Sequence, residues 1–266
     1  KASQLALELE KSAEKNALYN YLNAVLQLAA GQIESAQAKF KRAVDLDCFR
    51  VRTTENFNSE AVKLAKSFGS IVADVEKVFS ENSEHGIIGS ELVYDHVHLT
   101  ERGHYLVARS VFNALKESKL QNKESLPDKF PLEAEVLIQL GYAGSDANAN
   151  LEHIISSMSR PPFTMQYVNE QKLANLSENL ASRQRAISRN EDIETTEAAH
   201  ELQPYNHRTT LRLAMLLNDQ PQTAVSLFEK TLKLNPFNID TLNNLASLKI
   251  QQSQLSEAEK LLKKSL

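Results

Sequence analysis

A 34-residue repeat near the C-terminal end constrains this chain more than any other feature. Ala224, Val225, Leu227 and Phe228 lead into Lys233-Leu234-Asn235-Pro236, and Ala258, Leu261 and Leu262 follow 34 residues after Ala224. Between them Leu242, Leu245, Ala246, Leu248 and Ile250 recur at helical spacing; upstream, Leu211, Leu213, Ala214, Leu216 and Leu217 mirror that helix. Pro204-Tyr205-Asn206 likewise mirrors Pro236-Phe237-Asn238. A unit this short cannot bury its apolar face alone, so it must stack on its neighbours.

These units resemble tetratricopeptide repeats, in which a helix, a short turn and a second helix cross at a small residue. Ala224 and Ala258 hold that position, where a larger side chain would drive the axes beyond the usual 8–10 Å. Pro236 ends the second helix, because its ring removes a donor and clashes with the preceding turn. A plain amphipathic bundle shares the three-and-four spacing, but the period and the Asn-Pro-aromatic-Asn terminator favour the repeat. A third copy stands near the N-terminus: Tyr21, Ala24, Val25 and Leu28, then Gly31 as the turn, then Ala36, Phe40 and Ala43, ending at Asp47-Cys48. The expectation is a mainly α chain. Seven glycines and seven prolines in 266 residues are less than half of the roughly 12% of average usage, too few for the turns of a sandwich or barrel.

The middle of the chain reads differently. Phe49-Arg50-Val51-Arg52 alternates apolar and basic, as a short strand or extended loop does. Arg50 and Arg52 share a face there, either toward a substrate or as solvated edge charges. Residues 59–68 read as a helix, and Ile71-Val72-Ala73 beside Gly69 as a buried parallel strand. Gly86-Ile87-Ile88-Gly89 then opens onto the densest polar cluster, Tyr94-Asp95-His96-Val97-His98-Leu99-Thr100-Glu101-Arg102-Gly103-His104. Thr100 is placed to cap a helix along which Tyr105, Ala108, Val111, Phe112 and Leu115 recur.

Asp95-x-x-His98-Leu99-Thr100-x-x-Gly103 with a following amphipathic helix resembles the last conserved block of the SGNH (GDSL-type) hydrolases. The resemblance implies a flavodoxin-like α/β/α domain, with His98 as general base and Asp95 as the carboxylate that orients it within a Ser-His-Asp triad. It implies an ester or acyl substrate and no cofactor. A loop bearing both residues can turn the carboxylate onto one imidazole nitrogen and leave the other for a serine hydroxyl. The stretches Leu46–Arg52, Asn58, Gly86-x-x-Gly89-Ser90-Glu91-Leu92 and Ser159-Arg160-Pro161-Pro162-Phe163-Thr164-x-Gln166 are similar to a bacterial subgroup in which this domain carries an inserted helical hairpin and is fused to tetratricopeptide repeats. The resemblance runs from about residue 17 to the end.

The family's Gly-Asp-Ser block, and the glycine and asparagine of its oxyanion hole, have no counterpart before Asp95. Gly144-Ser145-Asp146 comes after the histidine, reverses the order, and reads as a turn or helix-start serine in an Ala/Asn-rich loop. The triad serine is therefore expected outside this chain, which begins inside an apparent helix at Leu5–Leu9 and is expected to be a segment of a longer protein.

Two other readings of the histidine cluster stand beside the dyad. His96 and His98 lie two apart and can join Asp95 or His104 around a metal, or the cluster can be an ordinary polar surface loop. His96 and His104 are read as structural. Elsewhere, 30 basic against 34 acidic residues give no electrostatic footprint for nucleic acid. Cys48 is the sole cysteine, so neither an intrachain disulfide nor a thiolate zinc cage is available. No apolar run approaches 18 residues.

The resulting organisation is a tetratricopeptide-like hairpin over 1–48, the C-terminal part of an SGNH-like α/β domain over 49–120, a helical connector over 121–200 and tetratricopeptide repeats over 201–266. Residues 190–196, acidic and polar, read as a flexible lead into the repeats. Two functions follow: part of an ester hydrolase or acyltransferase joined to a module that binds a protein or peptide, or a non-catalytic repeat scaffold with a degenerate hydrolase segment.

Overall fold

The structure, a computed structural model, describes residues 13–48, 53–118 and 125–266 and divides into two compact units, Lys1–Phe130 and Pro131–Leu266. Its described residues are mainly helical.

In the first unit, helices α1 (Ala17–Ala29) and α2 (Ile33–Leu46) form a hairpin. Asn16 caps α1 by accepting the Tyr19 amide at 3.0 Å, satisfying one of the donors a helix start leaves open. Gly31 turns the chain at φ +75°, a left-handed value that a side chain disfavours. Ala24 and Ala36 are fully buried, and Tyr21 meets Phe40 edge-on with ring centroids 5.7 Å apart. Helix α3 (Glu55–Ser67) and the short α4 (Val75–Glu81) follow. A 3-10 turn at Glu84–Gly86 and a loop then reach α5 (Glu101–Glu117), which packs on α4. Phe79, Leu92 and Leu106 are the centre of this core, flanked by Val75, Val78, Val93 and Leu99.

The segment Ile71-Val72-Ala73 is not a strand. It runs as irregular chain into α4, and Ile71 is 44% exposed. A buried parallel strand needs hydrogen-bonding neighbours; among the described residues there is no sheet, only one antiparallel bridge between Val93 and Leu99. The α/β segment expected over 49–120 is thus absent from its described part, which is helix and loop. Phe49–Arg52, including Arg50 and Arg52, lies outside the described residues.

The second unit contains α6 (Glu133–Leu140), α7 (Gly144–Met158), α8 (Asn169–Ala186), α9 (Arg189–Leu202), α10 (His207–Leu216), α11 (Pro221–Leu234), α12 (Ile239–Gln251) and α13 (Leu255–Ser265). From α9 onward each helix packs on the next, the contact order of a helical repeat. Ala214, Ala224, Phe228, Leu245 and Leu248 are the centre of this stack. Ala224 and Ala258 are buried where paired helices meet, and burying the Phe228 ring contributes about 1.5–3 kcal/mol. Asn206 and Asn238 cap α10 and α12, and Pro236 stands in the turn between hairpins.

Residues 190–196 are not a flexible lead. Ser188 and Glu191 form a reciprocal capping box that starts α9, whose Asp192, Thr196 and Ala199 are buried. The polar composition of that stretch hid a packed helix. Gly144-Ser145-Asp146 forms the first turn of α7, in keeping with the reading of Ser145 as a helix-start serine, although the Ala/Asn-rich stretch around it is helix and not loop.

Candidate functional site

The sequence-predicted pair Asp95 and His98 meets in the loop between Leu92 and α5. Asp95 Oδ2 lies 2.6 Å from His98 Nδ1. The other carboxylate oxygen, Oδ1, accepts the backbone amides of Val97 at 2.8 Å and His98 at 2.9 Å. The chain therefore wraps around its own aspartate, an Asx-type turn that holds the imidazole over the carboxylate. Only 1% of the Asp95 side chain is exposed, against 44% of His98.

Burial would raise the Asp95 carboxyl, but the amides of His98 and Val97 and the His98 ring together hold it below its ordinary value. An ionised Asp95 that accepts at Oδ2 places the proton of a neutral His98 ring on Nδ1. Nε2 is then left as an acceptor.

The loop is anchored at both ends. Tyr94 N donates to the His98 carbonyl at 2.8 Å, and Thr100 N to the Leu92 carbonyl at 3.0 Å. The Thr100 hydroxyl works in two directions: it donates to the Glu91 carbonyl at 2.8 Å and accepts the Gly103 amide at 3.1 Å, capping α5. The Tyr94 hydroxyl donates to Glu101 at 3.1 Å. Gly103 lies where α5 crosses the loop. A Cβ there would sit on the Leu92 carbonyl oxygen and 3.1 Å from Leu99 Cβ.

His96 is half-buried and His104 exposed, and no group of three or more His, Cys, Asp or Glu side chains suited to a metal ion occurs among the described residues. Ser145 belongs to the second unit. Its hydroxyl accepts from Arg212 Nη2 and its amide donates to Asp192 at 3.2 Å. Arg212 Nη1 pairs with Asp146 at 2.9 Å, so this serine belongs to a bond network tying α7 to α9 and α10. It is a structural serine.

One polar group went unnoticed in the sequence. His200 on α9 has Nδ1 3.2 Å from the Thr210 hydroxyl on α10 and Nε2 2.9 Å from Lys230 Nζ on α11. Thr210 donates to the Asn206 carbonyl at 3.0 Å, so Nδ1 carries the proton donated to it and Nε2 accepts from the ammonium. Burial, then the Lys230 charge, lowers the His200 pKa, while Glu201 opposes the shift. Isolated histidines carry no spacing signal, so the sequence could not single it out.

No family model and no curated protein matches the chain. Among solved structures, "Crystal structure of MamA" is 16% identical with a TM-score of 0.29, covering 62% of this chain and 88% of that one. "Crystal structure of MamA protein" is 16% identical with a TM-score of 0.30, covering 62% and 82%. "MamA AMB-1 P212121" is 14% identical with a TM-score of 0.29, covering 94% and 89%. Likenesses this distant do not place the chain in a family.

Proposed function

We propose that this chain is a helical-repeat module that binds a protein or peptide along α10 and α12. The observation that carries this reading is the stacked pair of hairpins from α10 to α13, whose first helices bury Leu213 and Ala214, or Leu245 and Ala246, on one side. Met215, Asn243, Ser247 and Ile250 stay exposed on those same helices. Repeat arrays use such uncovered, rigidly held faces as extended binding surfaces. A peptide-display selection against the chain, counter-screened on a Met215→Glu/Ser247→Arg/Ile250→Glu variant, tests it. Enriched peptides should bind the parent at least tenfold more tightly; equal binding to both would refute the surface.

A second reading is favoured by the loop geometry. In it Asp95 and His98 are the carboxylate and general base of an SGNH-type ester hydrolase or acyltransferase whose serine lies outside this chain. The buried, ionised Asp95 holds the ring by Nδ1, and Nε2 takes the proton of an attacking hydroxyl. Without the serine and the oxyanion hole, the pair provides little transition-state stabilisation by itself. Hydrolysis of a p-nitrophenyl ester by the longer protein should fall by orders of magnitude on His98→Ala; unchanged rates would remove this reading.

A further inference from the structure

At the end of the α1–α2 hairpin away from Gly31 lies an open cleft of about 510 Å³, a volume in the range of small-molecule sites. Glu14, Lys15 and Asn20 line it from the start of α1, and Ala38, Lys39 and Arg42 from α2. The Glu14 carboxylate reaches Lys39 Nζ at 3.7 Å and balances that charge. Lys15 and Arg42 are paired with no other described residue, so their two positive charges border the cleft uncompensated.

Asn20 separates this cleft from an ordinary solvated basic surface. Its side chain is fully buried, and its Nδ2 donates to the carbonyls of Glu14 at 2.8 Å and Asn16 at 2.9 Å. Those two bonds fix the amide's orientation, since only the nitrogen can donate. The other amide atom, Oδ1, has no hydrogen-bond partner among the described residues. A buried acceptor is costly to leave unpaired, and one held rigidly beside a cleft calls for a donor from the occupant.

Together these groups specify an occupant that is anionic on one side and carries an O–H donor on the other. A phosphate monoester bears about −1.5 to −2 charges near pH 7, which matches Lys15 and Arg42, whereas a single carboxylate meets only half of that charge. The Arg42 guanidinium can take two phosphate oxygens in its planar fork, and Lys15 serves a further oxygen as a point charge. We propose that the cleft binds a small polyol phosphate, its phosphate on Lys15 and Arg42 and one of its hydroxyls donating to Asn20 Oδ1. This site is independent of the proposed peptide binding and of the Asp95–His98 reading.

Titration of the 266-residue chain with glycerol 3-phosphate at low salt, followed by phosphorus NMR, tests it. Binding should saturate with a Kd of about 1 mM or tighter, and it should weaken as salt is added. Methyl phosphate, which has the phosphate but no hydroxyl, should bind about fivefold or more weakly, because it leaves Asn20 Oδ1 unpaired. Lys15→Ala/Arg42→Ala should weaken glycerol 3-phosphate about tenfold or more. Glu14→Gln frees the Lys39 ammonium and should tighten binding about threefold, a gain that a misfolded chain cannot give. Unchanged far-UV circular dichroism shows that the double variant, at two exposed positions, remains folded. No saturable binding, equal binding of methyl phosphate and glycerol 3-phosphate, or indifference to the charge variants would overturn the assignment.

Discussion

Asp95 Oδ2 lies 2.6 Å from His98 Nδ1, while the same carboxylate takes two backbone amides on its other oxygen. The loop thus fixes the imidazole through a group that is itself fixed. The tautomer follows and can be read by nitrogen-15 NMR of the His98 ring. With the ring neutral, the proton should reside on Nδ1 in the parent. In Asp95→Asn, with the side-chain amide turned toward the ring, it should move to Nε2. An Nε2 proton in the parent would contradict the hydrogen-bond assignment.

Asp95 also ties stability to pH. Its folded pKa is depressed, so the unfolded chain binds more protons and stability is lost as pH falls below about 3.9. Asp95→Ala should lower stability at neutral pH by about 1–3 kcal/mol, because it strands two amide donors. It should also flatten the acid limb of a plot of urea midpoint against pH. An unchanged acid limb would show that the carboxylate carries no linkage.

Gly103 and Gly31 should both resist alanine, for different reasons. At Gly103 the new methyl meets the Leu92 carbonyl and must displace the loop, costing about 1–3 kcal/mol and perturbing the His98 NMR signals. At Gly31 there is open space but φ is +75°, so the cost is about 1 kcal/mol and His98 is untouched. Urea denaturation with His98 NMR as second readout separates the two; a silent His98 in Gly103→Ala would contradict the crossing argument.

His200 should make the second unit acid-sensitive. Its pKa is lowered by burial and then by Lys230, so stability is lost as pH falls from about 6.5 through the folded value. Protonation also replaces the Lys230 hydrogen bond with two adjacent positive charges. Between pH 7.5 and 5.5 the urea midpoint of the parent should fall further than that of His200→Gln. Equal falls would show that His200 does not couple to folding.

Ser145 should behave as a structural residue. Ser145→Ala removes an acceptor for Arg212 and should cost about 0.5–1.5 kcal/mol by urea denaturation. A loss far beyond that, or none at all, would contradict the bond network assigned to it.

The repeat hairpins were legible because their evidence is periodic: Ala224 and Ala258 recur where helices meet, Asn206 and Asn238 recur as caps, and Pro236 marks a turn. Thr100 as a cap was legible from local spacing, whereas Asp95 and His98 were named together only through the resemblance to the SGNH block. What misled was composition over short windows. Ile71-Val72-Ala73 has the apolar content of a strand but no partner strand beside it among the described residues. Asp192 and Thr196 look like solvent-facing residues, yet they are buried because Asp192 accepts the Ser145 amide and Thr196 donates to the Asp192 carbonyl. The anchoring of the Asp95 loop by the Glu91 and Leu92 carbonyls left no trace in the sequence, since backbone groups are the same at every position.

Binding of a protein or peptide to the faces of α10 and α12 can be read by amide hydrogen exchange with and without a selected peptide. New protection is expected in α10 and α12, around Met215, Ser247 and Ile250, with α7 and α8 unchanged. Protection confined to other helices, or none at saturating peptide, would contradict it.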